Sequence, residues 1–173
     1  FPVSAFPDYQ LVLAGAPAIA PEYYKQYVGE AKVKIIFDQT YCLLQHADVA
    51  LVTSGTATLE TALIGTPQVV AYRLPIGCLA RWAFDHLLPI RYFSLVNLIA
   101  ESPVVEELLG DAVTPQRLVQ ALSPLLDRES TAYQTQQAQY RMVRQRLEPS
   151  RVASQVAAER IYHELSTQWE SEE

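Results

Sequence analysis

The sequence has few of the residues on which metal and redox sites depend. It contains 2 cysteines and 3 histidines in 173 residues, with no CxxC pair and no metal-ligand spacing. Cys42 and Cys78 lie in apolar stretches, so we expect reduced core residues rather than a disulfide. His46, His86 and His163 are far apart, which predicts packing or surface roles. The sequence therefore indicates no metal site and no bound cofactor.

Positive charge and long apolar runs are also scarce. The 13 Lys and Arg residues are outnumbered by 19 Asp and Glu, for a net charge of −6. Clustered basic side chains supply most affinity for nucleic acid, so we expect no such partner. No run approaches the roughly 20 apolar residues that span a bilayer, and no signal peptide is visible, which predicts a cytoplasmic location. The chain starts at Phe1 without Met, so we expect a piece of a longer protein.

Short apolar runs alternate with helical stretches over the first 75 residues. Strands are predicted over 9–15, 32–37, 48–53 and 67–73, with helices over 21–28, 39–47 and 57–65. This alternation predicts an α/β fold, in which helices flank both faces of a Rossmann-like parallel sheet. Further helices are predicted over 115–126, over 130–146 and from Pro149 to the chain end. We therefore predict a Rossmann-like domain over 1–128 and a C-terminal helical extension over 129–173.

The stretch VTSGTATLETA, at 52–62, combines small polar residues with one acid where a strand turns into a helix. Parallel α/β sheets bind ligands at the carboxyl ends of their strands, and a helix start there attracts phosphate. Gly55 would let an anion approach the backbone, while Ser54 and Thr56 offer hydroxyl donors. Glu60 lies one turn beyond Thr56 and could accept hydrogen bonds from a ribose diol.

The same spacing has a simpler interpretation, in which Ser54 or Thr56 caps the helix and Glu60 is a solvated acid. The stretch matches neither a P-loop nor the G-x-G-x-x-G pattern of dinucleotide sites. It also differs from the G-x-S-x-G turn of hydrolases, and no base for a Ser54 nucleophile is evident.

Two motifs carry a family resemblance. ADVALVTSGTATLETALIGTPQVVAYR, at 47–73, resembles the nucleotide-binding segment of lipid-A-disaccharide synthases, and RYFSLVNLIAE, at 91–101, resembles their Ser-Leu-x-Asn-Leu signature. The likeness covers roughly residues 6–165. It implies the C-terminal, UDP-binding half of a GT-B fold from a Gram-negative bacterium. Such inverting glycosyltransferases join UDP-2,3-diacylglucosamine to lipid X, a lipid monosaccharide, forming the lipid A disaccharide of lipopolysaccharide and releasing UDP.

The resemblance also implies roles for individual residues. Ser54, Gly55 and Thr56 would face the UDP diphosphate, and Glu60 would face the ribose. The loop from Ile36 and Phe37 to Gln39 would frame the uracil, and Tyr72 and Arg73 would lie at the cleft edge. Asn97 would face the glycosyl or acceptor side and is the one catalytic candidate. Simpler interpretations remain for the last three: an aromatic rim, a surface cation and an Asn in an ordinary turn.

Some of the family pattern is absent. The family's catalytic N-terminal half, with the general base, has no counterpart here, so we expect this chain alone to be inactive. The strand and Gly-Ser-Arg loop that open the family's C-terminal half do not precede Phe1, and Ala-Glu-Ser-Pro follows the signature where the family usually has Ala-Gly-Arg. Alternative functions are another GT-B enzyme, such as a GlcNAc transferase or UDP-sugar epimerase, and a non-catalytic nucleotide-binding or dimerising fragment.

Two apolar stripes suggest further partners. The stripe over 76–88 fits either core packing or a peripheral contact with lipid at the inner membrane. The second stripe lies on the final helix, at Ala153, Ala157, Ile161, Leu165 and Trp169. We expect it to form a homodimer or to fold back on its own domain.

Overall fold

The computed structural model describes residues 5–29, 31–53, 55–72, 91–148 and 153–170, with side chains over 154–164 in the last range. Strands and helices alternate from Leu11 to Tyr72, which confirms the predicted α/β class, and three successive helices follow from Pro115 onward. The elements are β1 (Leu11–Gly15), α1 (Pro21–Val28), β2 (Val33–Phe37), α2 (Thr40–His46), β3 (Ala50–Val52), α3 (Gly55–Ile64), β4 (Gln68–Tyr72), α4 (Leu95–Ala100), β5 (Glu107–Leu109), a 3-10 turn (Gly110–Ala112), α5 (Pro115–Leu126), α6 (Thr131–Leu147) and α7 (Ala153–Glu170).

The strands form two parallel sheets among the residues described, whereas the sequence predicted one. β1 pairs with β2 in the first, and the order in the second is β3–β4–β5. β5 was not predicted, because it has only 3 residues and begins with an acid. A local sequence pattern cannot distinguish such a strand from a loop, and its pairing with β4 defines it.

Helices cover both faces of the second sheet, as predicted. Val70 packs on one side in a cluster with residues of α3, α4 and α6, including Tyr140 and Val143. Val69 and Ala71 pack on the other side, mainly against α5. This alternation follows from the two-residue period of a strand. The boundary at 128/129 stays a prediction, although α6, on its far side, shares the core cluster of β4.

The helix α4 ends at Glu101, whose backbone lies in the left-handed region with φ +53°. Its N–H donates to the carbonyls of Asn97 and Leu98, which caps the helix. Glycine adopts this conformation without steric cost and is the usual residue at such caps. Glu101 adopts this conformation at a steric cost that glycine would not have, because it carries a Cβ.

The structure exposes both Cys42 and the described part of the final helix, α7. Cys42 is exposed, so its prediction as a core residue was wrong, because the helix α2 buries none of its residues. On α7, Ile161 is 61% exposed, and residues 154–164 as a whole are exposed. The described part of α7 therefore does not fold back on the domain, and dimer formation through it stays a prediction. Cys78, His86 and the stripe over 76–88 lie outside the described residues.

A buried polar cluster joins α6 to the start of β4. Gln136 donates from Nε2 to the Gln68 carbonyl at 3.0 Å and accepts from the Gln68 N–H at 2.9 Å. The Tyr140 hydroxyl, on a side chain 1% exposed, accepts from Gln68 Nε2 and donates to Gln136 Oε1. Burial raises the pKa of Tyr140 well above its ordinary value, and the bond from Gln68 offsets part of that rise. The neutral hydroxyl is thus the form that this fold stabilises.

Replacing Tyr140→Phe tests this cluster through pH. Near neutral pH the variant should be less stable by about 1 kcal/mol, the cost of one hydrogen-bonding group. Above about pH 10 the unfolded wild type ionises Tyr140 while the folded protein keeps it neutral, so wild-type stability falls as pH rises. The gap between the two proteins should therefore narrow by about 1.4 kcal/mol per pH unit there. Urea unfolding at about pH 8 and about pH 11 measures it, and a constant gap would show that Tyr140 titrates normally.

Candidate functional site

The helix α3 begins directly after the carboxyl end of β3, at Gly55. The first N–H groups of a helix have no partner within it, and the dipole gives this end partial positive charge. Among the residues that the structure describes, none comes within 4 Å of a Cβ placed on Gly55, so their side chains leave this position at the helix start open. Ser54, which was predicted to share this site, lies outside the described residues. The structure thus places the helix start after the carboxyl end of a strand, and the ligand roles of Gly55 and Thr56 stay predictions.

The hydroxyl and carboxyl groups of α3 divide between its two faces. Thr58 and Thr61 are buried, and their hydroxyls donate to the carbonyls of Gly55 and Ala57 at 2.6 and 2.7 Å. Thr56 is exposed and Glu60 is half-buried, one turn apart on the same face. Neither side chain bonds to another residue in the part of the chain that the structure describes. The polar groups on this face are therefore available to a ligand.

Tyr72 ends β4, two positions beyond Val70, which pairs with Val52 of β3. Its ring lies 6.4 Å from that of Phe93 between centroids, and the side chain is half-buried. Burial first, and the negative charge of Glu107 second, raise the pKa of Tyr72. Tyr72 thus lies at the same sheet edge as Gly55, as predicted, while Arg73 lies outside the described residues.

The loop that was predicted to frame a uracil follows β2, in the other sheet. Ile36 and Phe37 are half-buried in the strand, and Gln39 is exposed just before α2. The Phe37 ring covers Gly15, where a Cβ would overlap it, and lies 5.8 Å from the Tyr24 ring. The structure therefore assigns a packing role to Phe37.

The loop after β2 and the helix α3 follow strands of different sheets, and the helix α2 contacts α3. Asp38, within the loop, has φ +58°, a left-handed conformation that Asp tolerates better than most residues. The following helix, α2, packs on α3, and the Thr66 hydroxyl donates to the Leu44 carbonyl at 2.5 Å. The predicted uracil loop thus follows the β1–β2 sheet, α3 follows a strand of the β3–β4–β5 sheet, and α2 links the two.

Asn97 lies inside the protein, 1% exposed. Its Oδ1 accepts from the Val105 N–H at 2.9 Å, and its Nδ2 donates to the Val105 carbonyl and to Glu107 Oε1, each at 2.9 Å. The side-chain amide is thus engaged on both of its polar atoms. These bonds fix α4 against the strand β5.

Glu107 is the residue of this region that sequence reasoning missed. Its carboxylate accepts from the N–H groups of Phe93 and Ser94, at 3.0 and 2.8 Å, and from Asn97. It therefore holds the start of α4 beside Tyr72. An acid at the head of the apolar run ELL, at 107–109, was the available signal, because a buried strand tolerates an acid only with partners.

Replacing Glu107→Gln should destabilise the fold by about 1–2 kcal/mol, because three donors lose a charged acceptor. The adjacent Glu106→Gln is the matched control, since Glu106 is exposed and its carboxylate pairs, among the described side chains, with Arg117 alone, at 2.9 Å. Such a surface pair contributes about 0–1 kcal/mol, so its loss should cost less. Urea unfolding compares the two variants. Tyrosinate absorbance supplies a second readout, because removing the Glu107 charge should lower the pKa of Tyr72. Equal costs for the two variants would contradict the role of Glu107.

The described residues contain neither a candidate metal-binding cluster nor a candidate membrane-spanning helix. No group of three or more His, Cys, Asp or Glu side chains is arranged there to hold a metal ion. Among the helices described, none combines the length and apolar character needed to cross a bilayer.

The fold and the open helix start define a Rossmann-like α/β domain with a candidate ligand site at its carboxyl edge. Comparison with known proteins specifies this further: the sequence model described as Lipid-A-disaccharide synthetase matches residues 4–162. The chain therefore belongs to this family, as the resemblance implied.

Individual relatives carry the name of the same enzyme. Lipid-A-disaccharide synthase of Saccharophagus degradans is 35% identical over 145 residues, covering 84% of this chain and 36% of that protein. The enzyme of the same name from Pseudomonas syringae pv. syringae is 43% identical over 102 residues, covering 58% of this chain and 26% of that protein. The match from Dechloromonas aromatica is 36% identical over 115 residues, or 66% and 30% of the two chains. The chain thus spans about a third or less of the relatives that it matches.

Proposed function

We propose that this chain is the UDP-sugar-binding part of an inverting glycosyltransferase. The reaction would join UDP-2,3-diacylglucosamine to lipid X, forming the lipid A disaccharide and releasing UDP. Family membership supports the reaction class, and the name that the relatives share, lipid-A-disaccharide synthase, supports the product. The single observation that carries the site assignment is the open start of α3 at Gly55.

The diphosphate of UDP fits the first turn of α3. Backbone N–H groups at a helix start, together with the dipole, stabilise negative charge. The exposed Thr56 hydroxyl adds a donor on the same side. Because negative charge on the departing UDP grows during transfer, these fixed donors would stabilise the transition state more than the substrate.

The ribose fits Glu60, whose carboxylate lies one helical turn below Thr56 and has no partner among the described residues. A carboxylate can accept from both hydroxyls of a diol. Tyr72 would line the edge of the cleft at the end of β4, together with Arg73. The backbone after Ile36, through Gln39, would frame the uracil.

Asn97 would contribute by positioning rather than by touching substrate. Its amide is bonded to Val105 and Glu107 inside the protein, so its effect would reach the site through α4 and Tyr72. The general base on the acceptor hydroxyl would come from another part of the full-length protein. We place the enzyme in the cytoplasm, peripherally at the inner membrane where its lipid substrates lie.

Replacing Gly55→Ala separates ligand binding from folding. None of the described residues lies within 4 Å of a methyl group at Gly55, so the melting temperature should be unchanged or slightly raised. The methyl group would stand where the diphosphate approaches, so UDP affinity should fall roughly tenfold, or about 1.4 kcal/mol. Calorimetric titration with UDP measures it.

Gly65→Ala, at the other end of α3, is the matched control. Gly65 has φ +103°, and a Cβ there would lie 3.0 Å from an Arg144 nitrogen, so this variant should lose stability. A Gly55→Ala protein that binds UDP as the wild type does would contradict the phosphate assignment.

Replacing Glu60→Gln should weaken UDP binding by about 1–2 kcal/mol, the range for hydrogen bonds to a charged group. The melting temperature of the free protein should change little, because Glu60 has no partner among the described residues. Glu22→Gln, on the exposed face of α1, controls for the change of net charge. Uracil supplied without ribose should bind both forms of residue 60 equally. A variant that unfolds easily yet keeps its UDP affinity would show that Glu60 is structural.

A further inference from the structure

Two aromatic rings, those of Tyr72 and Phe93, lie at the carboxyl edge of the β3–β4–β5 sheet and are called the aromatic pair below. Tyr72 is the last residue of β4, which pairs with β3, the strand that leads into α3. Adjacent strands lie roughly 4.8 Å apart, so Tyr72 is a near neighbour of the start of α3. The two ring centroids are 6.4 Å apart, with an angle of 49° between the ring planes. Both side chains are half-buried, so each keeps some accessible surface.

The Tyr72 hydroxyl makes no hydrogen bond to a side chain or backbone group in the described ranges. Tyrosine combines an apolar ring with a polar end, and the hydroxyl usually has a partner where the ring is buried. It can both donate and accept. At the end of a strand beside the candidate ligand site, a ligand can supply that partner.

A fixed negative charge decides which kind of ligand group suits the Tyr72 hydroxyl. Glu107 accepts from the N–H groups of Phe93 and Ser94, at 3.0 and 2.8 Å, and from the Asn97 amide at 2.9 Å. Burial first, and the Glu107 charge second, raise the pKa of Tyr72, so the hydroxyl stays protonated and can donate. The same charge would repel an anionic group placed beside Tyr72. The aromatic pair therefore suits an uncharged polar group better than a phosphate.

The helix α3 contacts both α2 and α4. The predicted uracil loop leads into α2, whereas Phe93 leads into α4. The diphosphate position at the start of α3 thus adjoins the uracil side through α2 and the aromatic pair through α4. The parts of a UDP-sugar have the same order, because the diphosphate joins the nucleoside to the sugar.

We propose that the aromatic pair is the sugar subsite, where the Tyr72 hydroxyl bonds an uncharged sugar and the Phe93 ring packs against it. Such a combination of aromatic surface and one placed polar group is typical of small-molecule sites. Tyr72 is then a specificity-determining residue for the sugar rather than a residue that contacts the nucleotide. This inference rests on the proposed function, because it places the diphosphate of the same ligand at α3.

Calorimetric titration of this chain with two soluble probes, UDP and UDP-N-acetylglucosamine, tests the subsite. Replacing Tyr72→Phe removes only the hydroxyl. The affinity for UDP-N-acetylglucosamine should therefore fall roughly fivefold, the factor that corresponds to one neutral hydrogen bond. The affinity for UDP, which has no sugar beyond its diphosphate, should be unchanged.

Tyr133→Phe is the matched control, because Tyr133 is also half-buried but lies on α6. It loses the same hydroxyl and should bind both probes as the wild type does. Saturation-transfer NMR supplies a readout that a change of stability would not move. The signal of the sugar and N-acetyl protons, relative to that of the uracil protons, should fall in Tyr72→Ala and persist in Tyr133→Ala.

An equal loss of affinity for both probes in Tyr72→Phe would overturn the proposal, because Tyr72 would then contact the nucleotide. An unchanged affinity for UDP-N-acetylglucosamine would overturn it as well. In both cases UDP still binds the wild type, so the proposed function stands. A wild-type chain that binds neither probe would instead refute the proposed function, and the sugar subsite with it.

Discussion

The pairing of the Gln136 side chain with the backbone of Gln68 is the interaction on which the described fold depends. Gln68 directs its N–H and carbonyl toward β5, but β5 pairs with β4 only from Val70 onward. A buried backbone group without a partner would cost free energy comparable to a lost hydrogen bond. The Gln136 amide fills both positions, at 2.9 and 3.0 Å, and so continues the ladder with a side chain. This fixes α6 against the sheet in one register.

In that position, side chains of α6 donate hydrogen bonds to backbone carbonyl groups at the carboxyl ends of two other helices. Gln137 and Arg144 donate to the carbonyls of Gly65 and Ala62 at the end of α3, and Arg146 donates to Ile99 at the end of α4. The helix α3 is thus held at its carboxyl end by other parts of the protein, while at its amino end no residue in the described ranges lies within 4 Å of a Cβ placed on Gly55. A helix fixed in this way can present its N–H groups to an anion without rearrangement, which favours binding.

Much of the fold and part of the site could be predicted from the sequence. Local signals were sufficient where a cap or a strong period marked an element: α1 has the predicted bounds, with Pro21 in its first turn and Gly29 at φ +56° after its end. The strand-to-helix change is visible in VTSGTATLETA, so Glu60 was predicted within the helix and Gly55 and Thr56 at its opening, although α3 begins two residues earlier than predicted, at Gly55. Ser54 and Arg73 lie outside the described residues, and the ligand roles of the whole set stay proposals.

The sequence by itself determined the α/β class, the order of the elements from β1 to β4 and the family, because periodicity, caps and motifs act over short distances along the chain. Tertiary structure alone decided that Glu107 forms a strand and holds α4, that Cys42 is exposed, and that the sheet divides between β1 and β3. It also decided that Gln136 completes β4, through bonds between residues 68 apart. Such contacts depend on which groups the folded backbone brings together, and no local pattern encodes that.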